Sequence, residues 1–202
     1  MRMKVLVIGA TGTIGLAVAE ALRAEHEVVS AARSSGDARV DIASPESIRG
    51  LFRQVGRVDA VVSCTGSAAF KPLDQLSDED FAFSLSNKLM GQVNVIRSGL
   101  EHVADGGSIT VTSGVLSQEP APGTSAISLV NAGLEGFARA AALDAPRGIR
   151  INVVSPPWVS ETLEAMGRDP AGGLPAAIVA HAYVDAVSGA FNGQVLDARK
   201  YA

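Results

Sequence analysis

Apolar positions come in blocks along the chain, and the blocks change period. Val5–Ile8 is an unbroken run of four apolar, mostly β-branched residues, the pattern of a strand buried on both faces of a parallel sheet. After it the apolar residues recur at every fourth position, Ile14, Val18 and Leu22, which predicts a helix. The exchange then repeats. Glu27–Ala32 predicts a second strand, and the next helix runs to about Val55, with Ser44 as N-cap, Pro45 in the first turn and Ser47 beyond. Asp59–Ser63 predicts a further strand. A long helical region follows from Leu76 to His102, and Gly106-Gly107 turns the chain into a strand over Ser108–Thr112. A second long helix is predicted over Ser125–Ala145, and a strand over Gly148–Val154 is stopped by Pro156-Pro157. A Gly172-Gly173 loop, a helix over Leu174–Ser188 and a strand over Gly193–Asp197 close the chain.

Strands alternating with helices predict an α/β fold, a doubly wound parallel sheet of the Rossmann type, with residues 1–202 as a single domain. One connection is out of the ordinary. Residues 38–42 can form a short edge element beside the second strand, but Arg33–Asp37 is too short for a crossover helix, which takes about a dozen residues or more. A shortened second crossover is therefore expected. The stretch up to Gly173 is also short, so any lid near the C-terminal end is small.

Composition changes this picture mainly by exclusion. Apolar residues make up 47% and charged residues 19%, and the net charge of −4 offers no basic patch for nucleic acid or an anionic membrane. The sole adjacent pair of cations is Arg199-Lys200. No apolar run approaches the roughly 18 residues of a membrane span. The single cysteine, Cys64, cannot form an internal disulfide, and the first strand begins close to Met1. A cytoplasmic protein without a targeting peptide is the expectation. No metal site is expected.

The candidate chemistry starts where the first strand ends. Gly9, Gly12 and Gly15 join that strand to its helix. Such a turn lets the chain reverse sharply, lets backbone approach a pyrophosphate, and lets helix pack on strand. Thr11, Thr13 and Ile14 stand at the helix N-terminus, whose free N–H groups and positive dipole end suit phosphate. The second strand ends in Arg33-Ser34 with no acid before Asp37. An acid there would bind a ribose 2′-hydroxyl, whereas a guanidinium pairs with a 2′-phosphate, so NADP(H) is favoured over NAD(H).

By Thr112-Ser113-Gly114 the order of motifs resembles the short-chain dehydrogenase/reductase family over nearly the whole chain. The resemblance assigns Asp41 and Ile42 to the adenine, and Cys64-Thr65-Gly66 to the strand end that supports the cofactor ribose. It makes Asn87 the active-site asparagine and Ser113 the residue that orients a substrate carbonyl. Arg150–Pro156 resembles the family's Asn-x-x-x-Pro strand, after which Pro156, Val159 and Thr162 would meet the nicotinamide carboxamide. The departure lies in the helix over 125–145. Ile127 stands at the position of the family's proton-donating Tyr, and Asn131 at that of its Lys. The chain looks like an atypical subgroup that lacks this pair. Asn131 can still hydrogen-bond ribose hydroxyls, and Lys88, Tyr183 or His181 could stand in as the acid.

Two functions follow from this reading. One is an NADP(H)-dependent oxidoreductase acting on a small carbonyl or alcohol with an altered proton donor. The other is a catalytically silent dinucleotide-binding protein, a sensor or scaffold. Small-residue faces on the long helices (Gly91 and Ser98; Ala132, Gly136 and Ala140) also predict a homodimer or homotetramer.

Overall fold

The computed structural model describes residues 2–202. Seven strands form one parallel sheet in the order β3-β2-β1-β4-β5-β6-β7. They are β1 (Lys4–Ile8), β2 (Glu27–Ala32), β3 (Ala38–Arg39), β4 (Val58–Ser63), β5 (Val103–Thr112), β6 (Arg150–Ser155) and β7 (Val195–Asp197). The central strands are buried on both faces, which is why β1 and Ala60–Val62 of β4 read as unbroken apolar runs, while β5 and β6 also bury Thr110 and Asn152. Helices α1 (Thr13–Arg23) and α7 (Ala176–Ser188) pack on one face through Val18, Leu22, Val179 and Tyr183. On the other face lie α2 (Pro45–Val55), α4 (Gly91–Gly99) and α5 (Ser125–Asp144), which contribute Phe52, Ile96 and Leu134. The doubly wound fold is the one expected.

Local chemistry accounts for the element ends. Ser44 Oγ accepts from Ser47 N at 3.2 Å and caps α2, with Pro45 at its first position. The second crossover is shortened as anticipated: β2 pairs directly with β3, Ala31 beside Ala38, and no helix intervenes. What holds this tight loop is Asp37, whose Oδ2 accepts from Ser30 N at 2.9 Å and Ser30 Oγ at 2.7 Å. These hydrogen bonds hold the Asp37 carboxyl below its usual pKa.

Two expectations change. The strand expected over Ser108–Thr112 begins earlier, at Val103, with its pairing to β4 shifted between Val58 and Ala60. Gly107 sits at this irregularity because a Cβ there would lie 2.3 Å from Asp59 O. The long helical region expected over 76–102 runs unbroken from Asp78 to Gly99 but is not regular. It comprises α3 (Asp78–Ser84), a wide π turn over Leu85–Met90, and α4, which ends at Gly99. Asn87 and Lys88 both lie within the π turn.

Candidate active site

Strand order reverses between β1 and β4, so their C-terminal ends open a crevice. A cavity of about 350 Å³ lies there, lined by Gly9, Thr11 and Gly12 from the glycine turn, Arg33 and Ser34 from the end of β2, Val40 and Ile42, and Cys64-Thr65 after β4. The three glycines have different roles. Gly9 is at φ 83, and a Cβ on it would stand 2.7 Å from Cys64 O. A Cβ on Gly15 would stand 1.9 Å from Gly9 O, so this glycine lets α1 pack on the turn. Gly12 is different: its Cβ would meet nothing nearer than Gly9 O at 3.5 Å. The space over Gly12 opens to the crevice at the start of α1, where Thr13 and Ile14 begin the helix.

The charges around the crevice are asymmetric. Asp37, the acid nearest the end of β2, is spent on Ser30. Arg33 is exposed at the cavity wall, with no carboxylate recorded in an ion pair with it among the described residues. Asp41 lies outside the lining: its Oδ1 accepts from Ala43 N at 3.0 Å, while Ile42 next to it is a wall residue. The Cys64 thiol is pushed up to about 12 by burial. It is a wall residue, not a nucleophile.

A second cavity of about 360 Å³ continues beyond the ends of β4, β5 and β6. Its wall includes Gly66, Lys88, Ser113, Gly114, Ile127, Asn131, Pro156, Val159 and Thr162. The structure thus brings together the residues that the sequence points to on β5, α5 and the loop after β6. Asn87 is not in this lining. Its Oδ1 accepts from Ser67 N at 2.7 Å and ties the π turn to the loop after β4. Tyr183 is also elsewhere, fully buried under the sheet with its hydroxyl 2.6 Å from Thr112 Oγ1. His181 is an exposed residue of α7.

Lys88 is the titratable side chain in this lining that carries a perturbed pKa. It is 8% exposed and is pushed down to about 8 by desolvation. Its Nζ donates to Ser113 O at 3.3 Å, which leaves N–H groups free, and it has no recorded carboxylate partner among the described residues. Gly66, at φ 116, makes room for it, since a Cβ there would come within 3.0 Å of Lys88 Cα. A buried, unneutralised ammonium on a cavity wall is an arrangement that active sites use.

The Ser113 hydroxyl is committed elsewhere. Its Oγ donates to Glu135 Oε1 at 2.9 Å, and Ser117 Oγ donates to the same oxygen at 2.6 Å. Glu135 is 3% exposed, with Arg139 at 3.6 Å. The backbone position that aims at the chamber is the next one. A Cβ on Gly114 would stand 3.0 Å from Asn131 Nδ2, and that amide donates to Gly114 O at 3.4 Å. Asn131 is 1% exposed, and its Oδ1 is buried with no hydrogen-bond partner. An orphaned buried acceptor on a cavity wall matches a ligand hydroxyl. Sequence reasoning missed Glu135 altogether. The available signal was its place eight residues after Ile127 and four after Asn131, on the same inward face of α5.

Comparison with known proteins finds relatives that share this fold. The family profile described as enoyl-(acyl carrier protein) reductase matches residues 9–187. Hydroxynaphthalene reductase arp2 of Aspergillus fumigatus is 30% identical over 150 residues, 70% of this chain and 55% of that protein. The chain thus spans about half the length of that curated relative. Among solved structures, the Listeria innocua protein lin1944 is 43% identical, with a TM-score of 0.93 over 96% of this chain and 98% of that one. A small-chain dehydrogenase in complex with NADPH is 26% identical, with a TM-score of 0.86 over 98% and 96% of the two chains. No helix among the described residues is long and apolar enough to cross a membrane.

Proposed function

The chain belongs to the short-chain dehydrogenase/reductase family, and from that premise we propose that it is an NADP(H)-dependent oxidoreductase of small carbonyl compounds whose proton donor is Lys88. The observation that carries this is the buried ammonium of Lys88 in the same chamber as Ile127 and Asn131, the residues that the resemblance sets at the positions of the family's Tyr and Lys. This makes the chain an atypical member. In the reducing direction a carbonyl, NADPH and a proton give an alcohol and NADP⁺. When bound, the dihydronicotinamide supplies the hydride. The Lys88 ammonium holds the carbonyl oxygen and gives up a proton to it. A pKa of about 8 suits that task near neutral pH.

The residues present fit the cofactor. Open space over Gly12 leaves backbone accessible to the pyrophosphate, and the free Asn131 Oδ1 accepts from a ribose hydroxyl. Ile42 and Cys64-Thr65-Gly66 flank the adenine and ribose, with Asp41 beside them. Pro156, Val159 and Thr162 face the carboxamide. Arg33 and Ser34, which line the cavity, receive the 2′-phosphate, while Asp37 lies outside the lining and is bonded to Ser30. Asn87 and Ser113 are positioning residues in this scheme: one anchors the π turn, and the other presents the carbonyl that Lys88 grips. The NADPH complex of a relative 26% identical supports the choice of cofactor.

Thermal unfolding with NADPH and NADH in parallel tests the cofactor assignment. NADPH at a hundredfold excess over its Kd adds about 2.7 kcal/mol, and NADH at the same concentration should add much less. Arg33→Ala should remove that difference, lowering NADPH affinity about tenfold with little change for NADH. No shift with either nucleotide would refute the assignment.

The outer face of α5 supports self-association. Leu129 (50% exposed) and Leu143 (88%) lie on one stripe with Gly133, Gly136 and Ala140. We therefore propose a homodimer or homotetramer built on this helix. A Cβ on Gly136 meets nothing within 4 Å in the single chain. Gly136→Arg should thus fold normally and run as a monomer in light scattering, whereas wild type runs as an oligomer. A monomeric wild type at micromolar concentration would refute the assembly.

A further inference from the structure

The chamber beside Lys88 does not end at the loop after β6. It continues into a larger cavity of about 680 Å³, and Phe70, Trp158 and Thr162 line both spaces. The Phe70 and Trp158 rings, with centroids 5.6 Å apart and planes at 42°, form the shared wall. At the outer end the Arg168 guanidinium lies over the Trp158 ring, 5.4 Å from its centroid. Local backbone puts it there. The short helix α6 (Ser160–Ala165) ends in a turn through Gly167, at φ 69, and Arg168 N donates back to Leu163 O at 2.8 Å. The turn folds Arg168 towards the aromatic wall.

Two cations line this outer cavity, Lys71 and Arg168, and one of them is in an ion pair. Lys71 is neutralised by Asp80 at 2.8 Å. Of the acids near Arg168 in the chain, Asp169 accepts from Ala171 N at 2.9 Å, Glu161 accepts from Ala176 N at 3.0 Å and Glu164 is exposed, and none of the three lines the cavity. Among the described residues no carboxylate is recorded within 4.0 Å of the Arg168 guanidinium. One unpaired cation therefore closes an otherwise apolar and aromatic passage that begins at Lys88.

Building on the reductase reading above, we infer that the substrate is an aromatic or apolar carbonyl compound carrying a single carboxylate. Its carbonyl lies by Lys88, its apolar body runs along Phe70 and Trp158, and its carboxylate pairs with Arg168. The apolar lining sets the body of the molecule, with few polar groups to fix its orientation. Charge counting sets the anion. A single guanidinium matches a monoanion in a two-pronged pair, whereas a phosphate dianion would leave one charge uncompensated because Lys71 is already paired.

Trp158 is the sole tryptophan of the chain, so its fluorescence reports occupancy of the shared wall directly. The test titrates the NADP⁺-loaded protein, in which no reduction can occur, with benzoylpropionate and with its uncharged methyl ester at low salt. Wild type should bind the acid about tenfold more tightly than the ester. Arg168→Gln should bring the acid down to the ester and leave the ester unchanged. Equal binding of acid and ester by wild type, a preference that survives Arg168→Gln, or no binding of either would overturn the inference. NADPH oxidation with the same two compounds separates this inference from its premise. An acid preference in binding without any oxidation defeats the reductase reading and keeps the anion subsite. Oxidation with equal kcat/KM for acid and ester keeps the reductase reading and defeats the subsite.

Discussion

Lys88→Met should lose activity and gain stability at the same time. Removing a positioned general acid lowers the rate by about 10²–10⁴, so NADPH oxidation with any accepted carbonyl should fall by that factor while NADPH affinity stays near wild type. Stability moves the other way because the buried ammonium is a liability to the fold. Burial lowers its pKa from 10.5 to about 8. Between those values the unfolded chain binds more protons than the native one, so stability rises as pH climbs from about 8 towards 10.5, and below about 8 the full penalty is in force. Methionine keeps the stem and drops the charge, which should stabilise the protein by about 1–3 kcal/mol near neutral pH. The gain should shrink as pH rises through this window. Wild-type activity should decline over the lower part of the same window, as the ammonium that donates the proton is lost. Urea unfolding at several pH values checks the stability, and the pH profile of kcat/KM checks the acid. A Lys88→Met variant with full activity would remove Lys88 from the chemistry.

Gly15→Ala and Gly12→Ala should fail in different ways. At Gly15 the new methyl would lie 1.9 Å from Gly9 O and 2.6 Å from Gly9 C, both backbone atoms that cannot move without opening the turn. Overpacking against side chains costs about 1–3 kcal/mol, occasionally more; against backbone the upper end or beyond is expected, with Tm falling in the absence of any nucleotide. At Gly12 the methyl has room, and φ −82 is comfortable for alanine. The apo Tm should stay within the small range of surface changes. NADPH affinity should nonetheless fall about tenfold or more, because the methyl occupies the space over the helix start that a pyrophosphate needs. Thermal scans with and without NADPH measure both effects. Equal loss of apo stability in the two variants would show that Gly12 is a packing glycine like Gly15.

The contrast between these glycines marks how far the sequence could be read. Val5–Ile8 and Ala60–Val62 are legible as strands because burial on both faces leaves no polar position to break the run, and Ile151–Val154 is legible despite Asn152, whose amide is bonded to Phe191 O and Gln194 N. The missing crossover helix was legible too, since Arg33–Asp37 is simply too short to contain one. The π turn at Leu85–Met90 was not legible. It changes which residues of one helical stretch face inward, and no residue type in Leu85–Met90 signals the wider turn. That turn buries Lys88, which in a regular helix pattern reads as a solvated residue. Ser113 shows the opposite limit. Its place at the end of β5 is where the resemblance puts it, but its hydroxyl is held by Glu135, a partner 22 positions away that no local pattern reveals. At the end of β2 the limit is similar: Arg33 is plain in the sequence, whereas the bonds that tie Asp37 to Ser30 are not.

The central claim is that this chain moves hydride from NADPH to a carbonyl with Lys88 as the acid. Its most direct test is mass spectrometry of the alcohol formed from NADPH deuterated at the nicotinamide C4, with wild type and Lys88→Met side by side. The account predicts deuterium on the carbinol carbon with wild type, and the same label appearing about 10²–10⁴ times more slowly with Lys88→Met. A protein that is stabilised by NADPH yet leaves every carbonyl probe unlabelled would contradict it.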